Sequence, residues 1–105
     1  MTCGKLLLRP DASRAYWNDA DLDLTAGEYN IVHLLASNAG RYMTYRALYD
    51  RLHHEGFLAG SGADGYRANV RSLVKRIRNK FRDSDPTFDA IENYAGFGYC
   101  WKKPD

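Results

Sequence analysis

Two cysteines and three prolines in 105 residues leave little to staple or kink this chain. Cys3 and Cys100 stand at opposite ends with no CxxC pair, which excludes a disulfide scaffold and a thiol-rich metal site. Both are expected to be reduced structural thiols. No apolar run exceeds a few residues, so a membrane span and a signal-peptide core are excluded as well. A soluble, cytoplasmic protein is the expectation. Apolar residues at 45% and charged residues at 27% give an ordinary globular composition. The length fits a single domain over residues 1–105 with one hydrophobic core.

The charge is not spread evenly. The net +2 conceals a segment, residues 66–82, with seven Lys or Arg and no acidic residue. The flanking segments are both net negative. Such asymmetry points to a polyanionic partner more strongly than the total does.

Along the chain, Lys5 to Leu24 alternates apolar patches with the turn signals Pro10-Asp11 and Asn18-Asp19. Two or three short antiparallel strands are predicted there. Thr25 with Glu28 three residues later makes a capping box for a first helix over 26–38, ended by Ala39-Gly40. Thr44 caps a second helix over 45–53 without an acidic third position. Glycines at 56, 60, 62 and 65 mark a loop, and a third helix is predicted over 64–82, ended by Asp83 to Pro86. Strands over 88–94 and 99–102 then flank the hairpin tip Ala95-Gly96-Phe97-Gly98.

On a helical projection of residues 66–82, Val70, Val74, Ile77 and Phe81 fall in one narrow arc, with Tyr66 and Leu73 at its margin. Opposite lie Ala68, Ser72, Lys75 and Asn79, flanked by Arg71 and Arg76, while Arg67, Arg78 and Arg82 sit between the two faces. Small polar residues at the centre with cations around them suit close approach to a major groove. An ordinary solvated face would interleave acids, because Glu–Lys pairs stabilise exposed helices. Seven cations without an acid repel one another unless a polyanion is bound. A helix docking on an acidic protein would be expected to show exposed aromatic or aliphatic anchors, and an RNA-binding surface would offer stacking aromatics. This face shows neither.

Four motifs in order resemble the OmpR/PhoB class of response-regulator effector domains. They are Leu24-Thr25-Ala26-Gly27-Glu28-Tyr29, Gly40-Arg41-Tyr42-Met43-Thr44 with Leu48, the run Val70 to Phe81, and Ile91-Glu92-Asn93-Tyr94-Ala95-Gly96-Phe97-Gly98-Tyr99. Within that class, Gly65-Tyr66-Arg67-Ala68-Asn69-Val70-Arg71 is similar to ChvI-type regulators. The resemblance implies an α+β winged helix-turn-helix: a strand meander, three helices and a hairpin wing at 91–101. It implies sequence-specific binding of double-stranded DNA as the output domain of a two-component response regulator controlling transcription, with helix 64–82 in the major groove. Arg71, Ser72, Lys75 and Arg76 become candidate base readers, and Asn69, Arg78 and Asn93 candidate backbone contacts. Arg67 and Asn79 join them from the helical projection. The loop 54–63 becomes a candidate contact for RNA polymerase. A receiver domain, phosphorylated by a sensor kinase, would precede this module in a longer protein. The chain alone is expected to be monomeric and to pair on tandem half-sites.

Three departures from the class stand out. Ala95 occupies a wing position where many members carry an Arg for the minor groove, Arg71 replaces a common Asp, and His53-His54 replaces Trp-Gly. Adjacent histidines point to different faces, so His53-His54-Glu55 is not expected to hold a metal. Tyr16, Tyr29, Tyr94 and Tyr99 are expected in the core, and Tyr45 is a candidate phosphate contact. No catalytic arrangement is recognised, and no enzyme activity or cofactor is expected.

Overall fold

The computed structural model describes residues 1–53 and 65–104. The expected polymerase loop at 54–63, His54 and Glu55, and the start of the third helix at Asp64 lie outside the described residues.

Four short strands open the chain: β1 (Thr2–Cys3), β2 (Leu6–Arg9), β3 (Arg14–Trp17) and β4 (Ala20–Asp21). They form an antiparallel sheet in sequential order. The β3–β4 turn at Asn18-Asp19 holds both residues at positive φ, 51° and 69°, a conformation that Asn and Asp tolerate and tight hairpins require. The expectation of two or three strands fell short at the margins. The outer strands β1 and β4 have two residues each, too few to show alternation, and exist through pairing with β2 and β3.

Helix α1 (Ala26–Ser37) begins with the full capping box. The Glu28 amide donates to Thr25 Oγ1 at 3.2 Å, and the Thr25 amide donates to Glu28 Oε1 at 2.9 Å. Strand β5 (Tyr42–Thr44) follows, then helix α2 (Tyr45–His53), where the Ala47 amide donates to Thr44 Oγ1 at 3.0 Å. Helix α3 (Gly65–Ser84) runs two residues further than expected. Pro86 restricts Asp85, the residue before it, and so leaves Ser84 free to stay helical. Strands β6 (Ile91–Tyr94) and β7 (Gly98–Trp101) form the hairpin, and β5 pairs with β7 on its other side. The first strand of the hairpin starts later than expected. Phe88 is buried but lies before it.

At the centre, Trp17, Phe81, Phe88 and Trp101 pack together, with Phe81 and Phe88 stacked at 4.3 Å and Trp17 edge-on to Phe81 at 5.5 Å. This cluster joins the opening sheet, the C-terminal half of α3 and the hairpin. The Trp17 indole N–H finds a partner at the rim, donating to Asp85 Oδ2 at 2.9 Å. Gly98 sits where β5 and β7 cross closely. A Cβ there would overlap the Met43 carbonyl, so only glycine fits.

Candidate nucleic-acid interface

Helix α3 is fixed by its apolar arc. Val70, Leu73, Val74, Ile77 and Phe81 are all buried, while Ala68, Ser72, Lys75 and Asn79 are all exposed on the far side. The outward strip is therefore presented by the packing of the inward one. Hydrophobic burial sets the rotation of the helix, and the rotation decides which cations face out.

The cations do not all face out. Lys80 reaches inward, where its ammonium donates to Glu28 Oε1 at 2.6 Å and to the Asp23 carbonyl at 3.0 Å. Glu28 is only 2% exposed. Burial alone would push its carboxyl up, but the hydrogen bonds from Lys80 and the Thr25 backbone, with the charge of Lys80, hold it below its ordinary value. Arg76 lies one turn back with Nε 3.8 Å from Glu28 Oε2 and its side chain largely in solvent. Glu28 thus closes the cap of α1 and anchors α3 at once.

Arg78 is half-buried and donates from Nη2 to the Ile91 carbonyl at 2.8 Å. Its guanidinium lies over the Tyr99 ring at 5.4 Å. Burial lowers its pKa from the ordinary arginine value. About two turns of α3 away on the N-terminal side, Arg71 lies over the Tyr45 ring at 5.9 Å. Tyr45 and Tyr99 meet edge-on at 5.6 Å and are both buried. Burial, then the hydrogen bond with Tyr45, pushes the Tyr99 hydroxyl up to about 12, so it stays a neutral phenol at physiological pH. The pair forms a floor on which two of the arginines of α3 rest.

Among the other expected site residues, Arg71, Ser72, Lys75 and Asn79 share the exposed side of α3, and Arg76 flanks it. Asn69 is half-buried and donates from Nδ2 to the Gly65 carbonyl at 3.0 Å. Arg67 Nε donates to the Tyr66 hydroxyl at 3.3 Å. Asn93 is exposed on β6, on the hairpin and apart from the helix. Three tyrosine expectations fail: Tyr16, on the short strand β3, is only half-buried and lies outside the core. Tyr94 is 57% exposed, because it lies on the outer side of a hairpin whose core contacts are made by Ile91 and β7. Tyr45 is buried, because its ring is needed against Tyr99. Sequence reasoning also missed Lys80 and Glu28 as a pair. The capping box was visible, but nothing local ties it to a lysine 52 residues away. Among the described residues, no group of three or more His, Cys, Asp or Glu could hold a metal ion, and no helix is long and apolar enough to cross a membrane.

A strand meander, three helices and a hairpin packed beside the third helix define a winged helix-turn-helix domain. Residues 19–101 match the family described as "Transcriptional regulatory protein, C terminal". The chain belongs to that family, the OmpR/PhoB-type effector domains, which are DNA-binding output domains in transcription control. Protein RcaC of Microchaete diplosiphon is 33% identical over 99% of this chain, which corresponds to 15% of that protein. Among solved structures, the DNA-binding domain of CpxR from Escherichia coli aligns with a TM-score of 0.78 at 19% identity, covering 100% of this chain and 97% of that one. The RstA DNA-binding domain of Klebsiella pneumoniae in complex with the RstA box aligns at 0.77 and 22% identity, covering 97% and 95%. These likenesses establish the shared fold. The chain spans between 15% and 39% of the length of the curated relatives it matches.

Proposed function

We propose that this domain binds double-stranded DNA sequence-specifically, with α3 in the major groove and the β6–β7 hairpin as the wing, as the output module of a two-component response regulator. The observation that carries this reading is the outward strip of α3. Ala68, Ser72, Lys75 and Asn79 are exposed and small or polar, cations flank them, and the described helix carries no acid before Asp83. Arg71, Ser72, Lys75 and Arg76 are the proposed base readers. Arg67, Asn69, Asn79 and Asn93 are the proposed sugar–phosphate contacts, and Arg78 would join them through the donors that the Ile91 carbonyl leaves free.

In the longer protein, a receiver domain under a sensor kinase would control pairing of two such domains on tandem half-sites. Pairing would convert two weak contacts into one tight one through effective concentration. RNA polymerase is the proposed partner of segment 54–63, by the family resemblance alone.

The test is a salt titration of binding to random-sequence duplex DNA by the wild-type chain and by an Arg71→Ala/Lys75→Ala/Arg76→Ala variant. The wild-type affinity should fall steeply with salt, and the variant should lose about two units of slope. Absence of wild-type binding at low salt would instead favour docking on an acidic protein.

A further inference from the structure

Arg71 and Arg78 stand about two turns apart along one side of α3. Each guanidinium lies over a tyrosine ring, Arg71 over Tyr45 at 5.9 Å and Arg78 over Tyr99 at 5.4 Å. The two arginines are otherwise held differently. Arg78 is half-buried and gives Nη2 to the Ile91 carbonyl. Arg71 is exposed, and with the described residues it forms no hydrogen bond or ion pair. On this side of the helix, the Tyr45 ring is what orders it.

That ring is itself fixed. The Tyr45 amide donates to the Phe97 carbonyl at 3.0 Å, which ties the start of α2 to the hairpin tip. Tyr99 shares a side-chain hydrogen bond with Tyr45, and the two rings meet edge-on at 5.6 Å. The Tyr45 side chain is buried, so it has little room to turn aside when the arginine above it moves. A guanidinium can stack on such a ring and keep its in-plane N–H donors free, which the ammonium of a lysine cannot. An Asp at position 71, as the class commonly carries, would be repelled by the negative face of the ring. The ring at 45 and the guanidinium at 71 therefore suit each other.

We infer that Tyr45 is a positioning residue for sequence choice: its ring stacks Arg71 so that the guanidinium meets the DNA edge-first and selects guanine. The inference rests on the DNA-binding reading and deepens it. Tyr45 itself touches no base. Guanine offers O6 and N7 on its major-groove edge, and a planar guanidinium presented edge-on pairs with both. An arginine free in solvent gives up the freedom of several torsions on docking, whereas one resting on a ring has given up part of it already. The gain falls on the base pair facing Arg71 and not on the phosphates, so it appears as a preference at one position.

Selection from a pool of randomised DNA duplexes tests this. The wild-type chain should enrich guanine at one position that Arg71→Ala no longer enriches. Tyr45→Leu should lose that same position and no other, and Tyr45→Phe, which keeps the ring, should retain it. On matched duplexes the preference for guanine over the next base should be about tenfold in wild type and about threefold or less in Tyr45→Leu. In an Arg71→Ala background, Tyr45→Leu should change the preference no further. Because Tyr45 is buried, a second reading uses the unaltered chain free of DNA. There the Arg71 Nε–Hε NMR signal should carry the ring-current shift of an aromatic neighbour, and the side chain should be less mobile than that of the exposed Arg9. Guanine preference intact in Tyr45→Leu, a loss spread over every position, a pattern in Arg71→Ala identical to wild type, or an Arg71 side chain as mobile as Arg9 would each overturn the inference while leaving DNA binding by α3 intact. Enrichment of no sequence by the wild-type chain would overturn the reading on which it rests, and the inference with it.

Discussion

The two ends of α3 use the same residue types for opposite purposes. Towards the N-terminus, Arg71 and Lys75 are exposed, and α3 has no acid in its first turn. Towards the C-terminus, Arg78 and Lys80 are turned into the protein, one onto the Ile91 carbonyl and the other onto a buried carboxylate. Arg76 stands between, exposed but within 3.8 Å of Glu28. A basic run is thus two devices. One half clamps the helix to α1 and the wing, and that clamp holds the other half in position.

The largest test of this division lies at Lys80. Replacing it as Lys80→Met keeps the alkyl stem but leaves the Glu28 carboxylate buried without its closest partner. Stability should fall by about 2 kcal/mol, somewhat less than for a fully buried pair because the Lys80 side chain is 32% exposed. Lys75→Met, one helical face away, should stay within about 0.5 kcal/mol of wild type. Urea midpoints of the two variants measure the contrast. Equal losses would mean that the two ends of α3 do not differ.

A smaller effect separates the two arginines that rest on the Tyr45–Tyr99 floor. Arg78→Ala removes the donor to the Ile91 carbonyl and should cost about 1–2 kcal/mol of stability. Arg71→Ala gives up only a cation lying over the Tyr45 ring, so it should cost well under about 1 kcal/mol. In DNA binding the ranking should reverse, with the larger reduction in salt slope in Arg71→Ala. Thermal melts and a salt titration on the same two proteins provide both rankings.

How much of this was legible in the chain depended on range. The capping box, the apolar arc of α3 and the outward strip are all written within a helical turn or two, and the structure places each as the spacing requires. Strand β5 was not legible. Three residues, Tyr42–Thr44, show no usable alternation and become a strand only by pairing with Gly98 to Cys100 across most of the chain. Tyr94 failed for a related reason. Aromatic character predicts burial on average, but which face of a two-residue-period strand meets the core is fixed by register, and register is a tertiary fact. The inward turn of Arg78 and Lys80 was hidden for the same cause. A helical projection places them at the margin of the apolar face, and only the arrival of Ile91 and Glu28 decides that they are used inside.

Acid offers the most delicate probe, because it discharges the inner clamp without altering a residue. Glu28 has a folded-state pKa below its ordinary value, so its ionised form is favoured by folding. Its contribution is fully present above the unfolded carboxylate pKa, about 4.3, and is lost as pH falls through the lower folded value. Asp85 behaves in the same direction. Hydrogen bonds from the Thr87 hydroxyl, the Trp17 indole and the Thr87 backbone hold it at about 2, and its contribution also fades on acidification. Both residues therefore make wild-type stability decline with acid. In Glu28→Gln only the Asp85 part remains, since the amide does not titrate. The stability gap between wild type and Glu28→Gln should be widest near neutral pH, narrow below about 4.3 and shrink further with falling pH. Asp85, common to both proteins, cancels in that difference. A gap that stays constant from neutral to strongly acidic pH would show that the carboxylate charge of Glu28 does not hold Lys80, and with it the C-terminal half of α3, in place.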